Sequence, residues 1–346
     1  MLVGPGLVAD LETHLDRAGL SGPFLMVSQP RVLKALGGGL RKRFHLASIV
    51  DGERAKTLTT AARLLDEMAR LRMTRQSTVV AVGGGVVGDI AGFAASIYMR
   101  GIAVVQVPTT LLAQVDSSIG GKTGVNHRVA KNLIGAFHQP RLVLADSGVL
   151  ETLPNGEYSS GLYEALKYGI IGDADLFDRF VSEIDRIRQR DPASIEWLVG
   201  RCAAIKAEVI QSDEKESGRR RILNFGHTVG HALEAAASFR RIRHGEAVGY
   251  GMIAACRISA ALGKMSASDA DRAEAAIASI GRLPSLEGVG LRQTLQALQH
   301  DKKARDGAIH FVLPLGIGRV EITPDVPFEL VRQTAHSIID ESKRKR

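Results

Sequence analysis

Residues 77–99 read STVVAVGGGVVGDIAGFAASIYM, and this stretch decides the fold class. The apolar run STVVAV predicts a buried strand, and IAGFAASIYM has the spacing of a helix. Between them, Gly83, Gly85 and Gly88 fit the G-x-G-x-x-G pattern. Glycines allow a tight strand-to-helix turn and let backbone N–H groups approach a pyrophosphate at the helix N-terminus. The context favours a dinucleotide site, with a βα turn that binds no ligand as the alternative.

The sequence around this turn repeats the alternation of strand and helix. Apolar runs at residues 22–28, 102–110 and 141–147 predict three more strands, and residues 55–72 have helical periodicity. Strands that alternate with helices form parallel sheets through crossover connections. Residues 1–152 are therefore predicted to form a Rossmann-like α/β domain that binds a nucleotide.

The pattern changes after ETLPNGEY at residues 151–158, where strand signals nearly vanish. Helical periodicities follow at residues 157–171, 173–189, 193–213, 225–237, 246–262 and 268–280. One β-like piece, AIHFVLPLGIGRVEI, comes late in the chain. The sequence therefore predicts a second, mainly α-helical domain over residues 153–346.

Composition argues against several classes of function. The chain of 346 residues has 45 Lys and Arg against 37 Asp and Glu, a net charge of +8, but the basic residues are spread out and no aromatic residues are interleaved with them. This argues against nucleic-acid binding and fits a small anionic substrate. Cys202 and Cys256 form neither a CxxC motif nor a disulfide framework. The N-terminus lacks a signal-peptide pattern and no uncharged apolar run reaches about 18 residues, so we expect a cytoplasmic protein that does not span a membrane.

The acidic residue that follows a standard dinucleotide turn by about 20 positions is absent, because the next strand ends QVPTT. Carboxylates lie elsewhere, with Asp89 just after the turn and Asp51 and Glu53 in DGERAK. These carboxylates could accept hydrogen bonds from the ribose hydroxyls and would repel a 2′-phosphate. The sequence thus favours NAD over NADP.

Residues 106–140 are predicted to be a long polar loop that carries Asp116, Lys122, Lys131 and Asn132 among glycines and hydroxyl side chains. Lysine and asparagine donors on such a loop suit a phosphate or a carboxylate. The segment GGKTG lacks the upstream glycine of an ATP phosphate loop, which excludes that motif. A long loop within a compact domain is usually functional, with a solvated loop as the alternative.

Three histidines and one acidic residue stand out in the predicted helical domain. In NFGHTVGHALE, His227 and His231 lie four residues apart on one helix face, and His244 follows soon after. In GLYEALKYG, Glu164 and Lys167 share a face. The HExxH motif of zinc proteases is absent. A glutamate and two histidines could bind a catalytic metal, but spacing alone does not decide which two histidines bind, and packed core histidines remain an alternative.

The residues together resemble a known family. The matching segments are GGGVVGDIAGFAASIYMRG, QVPTTLLAQVDSSIGGKTGVNH, KNLIGAFHQP, EALKYG, KAEVI, RILNFGHTVGHALE, HGEAVGYGM and DKK. They are similar to the 3-dehydroquinate synthases, members of the sugar phosphate cyclase superfamily. The resemblance implies a nucleotide-binding α/β domain, a helical metal-binding domain, bound NAD and one divalent metal, Zn²⁺ or Co²⁺. It also implies a carbon–oxygen lyase that converts 3-deoxy-D-arabino-heptulosonate 7-phosphate, an anionic sugar phosphate, to 3-dehydroquinate and phosphate.

The resemblance also assigns site residues. It implies Glu164, His227 and His244 as metal ligands, so that His231 contacts the substrate instead. It implies substrate and catalytic contacts at Arg100, Asp116, Lys122, Asn132, Lys167, Arg220, Asn224, His231 and Lys302. It implies NAD contacts at Asp51, Glu53, Lys56, Gly84, Gly85, Val86, Val87, Gly88, Asp89, Thr109, Thr110, Lys122, Lys131 and Thr152. Arg100 matches an arginine that reaches the neighbouring subunit's site, which implies a homodimer.

Departures from the family pattern and three alternatives accompany the resemblance. Gln29 stands where the family often has Asp or Asn near the nucleotide, which puts one ribose contact in doubt. Cyclases that make valiolone- or inosose-type rings share the fold but usually change the residues that bind phosphate and carboxylate. A metal-dependent polyol dehydrogenase would release NADH. A nucleotide-binding regulator without activity would be inert whether or not a metal is present.

Overall fold

The computed structural model describes residues 1–37, 43–216, 218–237, 242–304 and 308–344, with the side chains of 300–304 outside the description. By its contacts the chain divides into two units, residues 1–154 with 192–208 and residues 155–191 with 209–346. The expected domain boundary between residues 152 and 153 stays a prediction, because a grouping by contacts does not test which segments fold and function as domains.

Ten strands lie within the described residues. They are β1 (Leu2–Gly4), β2 (Phe24–Ser28), β3 (Phe44–Ser48), β4 (Thr78–Gly83), β5 (Ala103–Pro108), β6 (Lys122–Val125), β7 (Ile134–Phe137), β8 (Leu142–Asp146), β9 (Phe311–Gly316) and β10 (Arg319–Thr323). Six of them form a parallel sheet in the first unit, in the order β1-β8-β5-β4-β2-β3. Every residue of β2 and β4 is buried, as expected for central parallel strands covered on both faces.

Thirteen α-helices lie in the same described ranges. They are α1 (Leu11–Arg17), α2 (Pro30–Ala35), α3 (Leu58–Arg70), α4 (Gly85–Ile97), α5 (Asn155–Gly172), α6 (Ala174–Ser182), α7 (Ile184–Arg188), α8 (Pro192–Ser212), α9 (His227–Ala236), α10 (His244–Ala261), α11 (Ala267–Ile280), α12 (Leu291–Ala304) and α13 (Phe328–Arg344). None of the described helices is long and apolar enough to cross a membrane. The predicted fold class, a parallel-sheet α/β domain followed by a helical domain, is confirmed.

The core of the first unit lies on both faces of the parallel sheet. Alternate residues of β4 point to opposite faces, so that Val79 packs with α3 and α4 and Val80 packs with α1. Leu64 and Leu15 are among the helix residues that cover the two faces. The apolar run of β4 is continuous for this reason, and the sequence predicted it as a buried strand.

Two expectations about local structure need correction. Residues 106–140 are not one loop, because they contain a π-helical turn, Ala113–Ser117, and an antiparallel hairpin of β6 and β7. Both strands are four residues long and contain glycine, so they give little period-2 signal. Residues 173–189, predicted as one helical stretch, form the separate helices α6 and α7. Asp173 caps the N-terminus of α6, where its side chain accepts a hydrogen bond from the Leu176 N–H at 3.0 Å.

Candidate active site

The glycine turn leaves no room for side chains where β4 meets α4. A Cβ at Gly83 would lie 2.4 Å from a methyl carbon of Val87, and one at Gly85 would lie 2.9 Å from the Ser117 hydroxyl. Gly84 is the N-cap residue of α4, and the first N–H groups of a helix have no partners within the helix. The helix dipole also favours negative charge at this end. The turn therefore fits the close approach of a dinucleotide pyrophosphate.

A buried lysine, Lys56, contacts two other residues that the family resemblance assigned to the binding of NAD or substrate. Lys56 is 5% exposed, and its ammonium group donates to the carboxylate of Asp89 and to the side-chain oxygen of Asn132. Burial raises the pKa of Asp89, and the nearby Lys56 opposes that rise. The Asn126 side chain links the cluster to Glu53, since it donates to the Glu53 carboxylate at 2.7 Å and accepts from the Asn132 N–H at 2.9 Å. Asn126 lies in the matched segment GVNH, but the sequence analysis gave it no role.

The remaining predicted residues of the first unit lie on several elements. Thr109 is buried, and Val87 packs in the core below α4. The Thr110 hydroxyl accepts a hydrogen bond from the Ala113 N–H, and the Thr152 hydroxyl donates one to the Val149 carbonyl. Asp51 forms an ion pair with Arg31. The three remaining cationic side chains are exposed, namely Lys122, Lys131 and Arg100. Gln29, the departure from the family pattern, is 3% exposed and donates to the Val50 carbonyl at 3.2 Å. Its amide nitrogen is therefore engaged by the backbone.

A second buried lysine was missed by sequence reasoning. Lys206 on α8 is 5% exposed, and its ammonium group lies 2.7 Å from the Asp116 carboxylate and 2.6 Å from the Asp116 carbonyl. Lysine is rarely buried unless it is paired. Its place in the matched segment KAEVI was the available signal. The pair holds Asp116, a predicted substrate contact, in one orientation.

The predicted metal ligands meet in the second unit. Glu164 on α5 is fully buried, and its Oε1 atom lies 3.5 Å from His227 Nε2 and 3.2 Å from His244 Nε2. Two donors bound at about 2.0–2.1 Å to a tetrahedral ion lie about 3.3–3.4 Å from each other. One carboxylate and two imidazoles is also a known ligand set for catalytic zinc. The donor atoms therefore fit a divalent metal in both spacing and chemistry.

The other nitrogen of each of these two histidines faces an acceptor. His227 Nδ1 lies 3.0 Å from the Phe225 carbonyl oxygen, and His244 Nδ1 lies 3.3 Å from Glu234 Oε2. Metal-binding histidines usually donate their second ring N–H to such an acceptor. Both rings are thus placed to present Nε2 to an ion beside Glu164.

The two histidines have opposite pKa shifts. Burial lowers the pKa of His227 to about 3, with the Glu164 carboxylate opposing the change. Burial also disfavours the charged form of His244, but hydrogen bonds to the Glu164 and Glu234 carboxylates outweigh it and raise its pKa to about 10.

His231 lies close to the same group. Its ring contacts that of His227 edge-on, with 5.1 Å between centroids, and His227, His231 and His244 each place one ring nitrogen within 4.8 Å of those of the other two. The geometry alone therefore admits His231 as a further donor. The assignment of His231 to the substrate stays a prediction based on the family resemblance.

The other predicted substrate residues of the second unit are near the proposed metal ligands in sequence, and their side chains make the following contacts. The Lys167 ammonium group is 2.6 Å from Glu164 Oε2, and both side chains are buried. Arg220 is 1% exposed and donates to the Glu214 carbonyl, and Asn224 donates to the Glu216 carboxylate at 2.8 Å. The side chain of Lys302 lies outside the described residues.

Comparison with known proteins gives the family. A family model described as the N-terminal part of 3-dehydroquinate synthase matches residues 46–160, and one described as its C-terminal part matches residues 161–304. This chain belongs to the 3-dehydroquinate synthase family. The resemblance drawn from the motifs is confirmed.

Relatives within the 3-dehydroquinate synthase family match most of the chain. The 3-dehydroquinate synthase of Koribacter versatilis is 51% identical over 288 residues, which cover 83% of this chain and 78% of the relative. That of Nostoc punctiforme is 46% identical over 343 residues, which cover 96% and 94%.

Two solved structures of related enzymes share the fold. The 2-epi-5-epi-valiolone synthase ValA of Streptomyces hygroscopicus subsp. jinggangensis, with NAD⁺ and Zn²⁺ bound, superposes with a TM-score of 0.89 at 31% identity, covering 98% of this chain and 96% of its own. A 2-deoxy-scyllo-inosose synthase complexed with carbaglucose-6-phosphate, NAD⁺ and Co²⁺ gives a TM-score of 0.85 at 29% identity, covering 96% and 95%. The same fold thus carries NAD and a divalent metal in two relatives.

Proposed function

We propose that this protein is a 3-dehydroquinate synthase, which converts 3-deoxy-D-arabino-heptulosonate 7-phosphate to 3-dehydroquinate and phosphate. The activity follows from membership of the family and from the family's motifs in this chain. The observation that carries the proposal is the approach of His227 Nε2 and His244 Nε2 to one oxygen of Glu164, at 3.5 and 3.2 Å.

The proposed reaction needs both a redox cofactor and a metal. The substrate is oxidised at C5, loses phosphate by β-elimination, is reduced again, opens its ring and closes a carbocycle by an intramolecular aldol step, so net redox is zero. When bound, NAD supplies the hydride acceptor and donor, and Zn²⁺ or Co²⁺ polarises the hydroxyls at C4 and C5. Glu164, His227 and His244 would hold the metal.

The NAD site is proposed in the first unit. The turn around Gly84 and Gly85 would receive the pyrophosphate, because no side chain fills it and the N-terminus of α4 favours an anion. The cluster of Lys56, Asp89 and Glu53 would bind the rest of the nucleotide through its charges and hydrogen-bonding groups.

Substrate binding and proton transfer are assigned to the cationic and amide side chains. Arg and Lys groups bind phosphate and carboxylate through charge-assisted hydrogen bonds that also fix geometry. The proposed contacts are Lys122, Asn132, Lys167, Arg220, Asn224 and Lys302, with Asp116 held by Lys206. His231, next to the metal ligands, is proposed to move protons.

The test is to incubate the purified protein with the heptulosonate phosphate, NAD and zinc. Phosphate and 3-dehydroquinate are expected in equal amounts without accumulation of NADH. Accumulated NADH would indicate a dehydrogenase instead. Turnover of glucose 6-phosphate in place of the heptulosonate would indicate an inosose-forming cyclase, given the carbaglucose-6-phosphate bound to that relative.

We also propose a homodimer in which Arg100 reaches the partner's site. The exposed side chains of Ile97 and Met99 beside it are apolar, and Met99 and Arg100 both adopt positive φ, at 49° and 67°, which side chains seldom do without a compensating contact. Arg100→Ala and Glu164→Gln chains should each be inactive but recover activity when mixed, since one hybrid site then has both residues. Two inactive chains that stay inactive after subunit exchange would exclude this arrangement.

The division of labour and the location are proposals of the same kind. Residues 1–152 would bind NAD, and residues 153–346 would bind metal and substrate. The cytoplasm suits a protein whose two cysteines, Cys202 and Cys256, are both buried as free thiols. Fractionation of cells that express the native gene would test the location.

A further inference from the structure

Glu234 is a buried carboxylate that the proposed reaction does not use directly. It lies on α9, three residues after His231 and seven after His227, and it is 7% exposed. Its Oε2 atom lies 3.3 Å from Nδ1 of His244 on α10. Burying a carboxylate is costly unless it is paired, and His244 is one partner of this one.

The two ligand histidines differ in what orients them. His227 Nδ1 faces a backbone carbonyl, that of Phe225, which no substitution of a side chain removes. His244 Nδ1 faces a side chain, that of Glu234, and its Nε2 faces Glu164 at 3.2 Å. An N–H on Nδ1 that donates to Glu234 leaves the lone pair on Nε2, directed at the proposed metal position.

We infer that Glu234 is a positioning residue that holds His244 in the Nδ1–H tautomer with Nε2 aimed at the metal beside Glu164. The inference rests on the proposed function only in taking His244 as a metal ligand. Glu234 would act through the ring of His244, whose Nδ1 atom it faces. Its loss should therefore lower metal affinity more than turnover at saturating metal.

A simpler role for Glu234 would be to balance the positive charge of its surroundings. The two roles differ in what a glutamine would do at this position. Glutamine keeps an oxygen that accepts the Nδ1–H hydrogen bond but carries no charge. Orientation of the ring therefore predicts that glutamine substitutes well, and charge balance predicts that it fails as alanine does.

The experiment measures zinc affinity by competition with a chromophoric chelator. We expect Glu234→Ala to weaken zinc binding roughly 10- to 100-fold, in the range typical of lost outer-sphere partners, and excess zinc to restore kcat. Glu234→Gln should recover most of the affinity. The matched control is Glu274→Gln, which removes a partly buried carboxylate bonded to Arg257 at 2.7 Å and should leave zinc affinity unchanged.

Each outcome has a defined meaning. Wild-type affinity in Glu234→Ala, or an equal loss in the alanine and glutamine variants, would overturn the inference while leaving the proposed function intact. A wild-type protein that binds zinc weakly or makes no dehydroquinate would instead count against the proposed function. Thermal unfolding of the metal-stripped proteins identifies any variant that fails to fold.

A second measurement needs only a folded wild-type chain. Long-range proton–nitrogen spectra of the zinc-loaded protein with ¹⁵N-labelled histidine report which ring nitrogen carries the proton. The His244 signals, assigned by their loss in His244→Gln, should show the proton on Nδ1. A proton on Nε2 would refute the proposed orientation.

Discussion

Gly251→Ala is expected to separate α9 from α10 and thereby disturb the proposed metal ligands His227 and His244. A Cβ at Gly251 would lie 1.7 Å from the carbonyl oxygen of Gly226 and 2.8 Å from the amide nitrogen of Gly230. Carbon atoms approach carbonyl oxygens no closer than about 3.3 Å even in tight helix contacts, so the two helices must open locally by about 1.6 Å. Gly226, the N-cap residue of α9, adopts φ 78° and directly precedes His227, so this opening acts on a proposed metal ligand.

The expected cost has two parts. Overpacking of this kind destabilises by about 1–3 kcal/mol, and this site lies near the upper end because the added Cβ meets backbone atoms of Gly226 and Gly230, which cannot rotate away as a flexible side chain can. A loss of about 3 kcal/mol lowers the melting temperature by roughly 6–12 °C in a unit of this size. Metal ligands must be held within about 0.5 Å of their working geometry, so an opening of about 1.6 Å should weaken zinc binding roughly 10- to 100-fold.

Calorimetry and chelator competition measure the two effects of Gly251→Ala. The control is Gly200→Ala on α8, where an added Cβ meets nothing within 4 Å. Because alanine favours helix over glycine by up to about 1 kcal/mol, this control should be neutral or stabilising with unchanged zinc affinity. A Gly251→Ala protein with the melting temperature and zinc affinity of the wild type would refute the reasoning.

Three further results are expected. Glu164→Gln should lose bound zinc and turnover, as measured by metal content and activity. It should also destabilise the fold by about 3–5 kcal/mol in thermal unfolding, because the buried Lys167 ammonium loses the charge of a carboxylate 2.6 Å away. Zinc uptake by metal-stripped protein at about pH 7.5 should release about one proton, since a pKa raised to about 10 keeps His244 protonated and a ligand must be neutral. Calorimetry in two buffers measures this released proton. Zinc affinity should accordingly rise as the pH approaches 10, where His244 loses its proton. Lys56→Ala should weaken NAD binding and raise the pKa of Asp89 further, because the charge and hydrogen bond of Lys56 then no longer oppose burial, and NAD titrations across pH measure this.

Each of these results has an opposite that would count against it. Zinc retained by Glu164→Gln would remove that carboxylate from the ligand set. A binding enthalpy independent of buffer would show that His244 is already neutral in metal-stripped protein. Unchanged NAD affinity in Lys56→Ala would show that its cluster with Asp89 is structural only. Lys264→Ala, which removes a surface partner of Glu321 at 2.6 Å, controls for the loss of a lysine as such.

The sequence by itself determined the fold class and the chemical character of the site. A continuous apolar run such as 77–82 and the glycines after it are local patterns, and local patterns can be recognised along the chain without knowing the fold. Residue type and helical spacing in the same way made Glu164 and the three histidines candidate metal ligands, and the family resemblance supplied the predicted set. Short strands that contain glycine, such as β6 with Gly124, lack a clear alternation of polar and apolar residues. The hairpin of β6 and β7 was therefore expected to be a loop.

The tertiary structure decided which atoms meet. Spacing left three histidines equivalent, whereas packing of α5, α9 and α10 places Nε2 of His227 and His244 within 3.5 Å of one Glu164 oxygen. Packing also brought Lys206 to Asp116, 90 residues away in sequence. Such contacts depend on how helices and strands pack in three dimensions, and no periodicity within a single element encodes that arrangement.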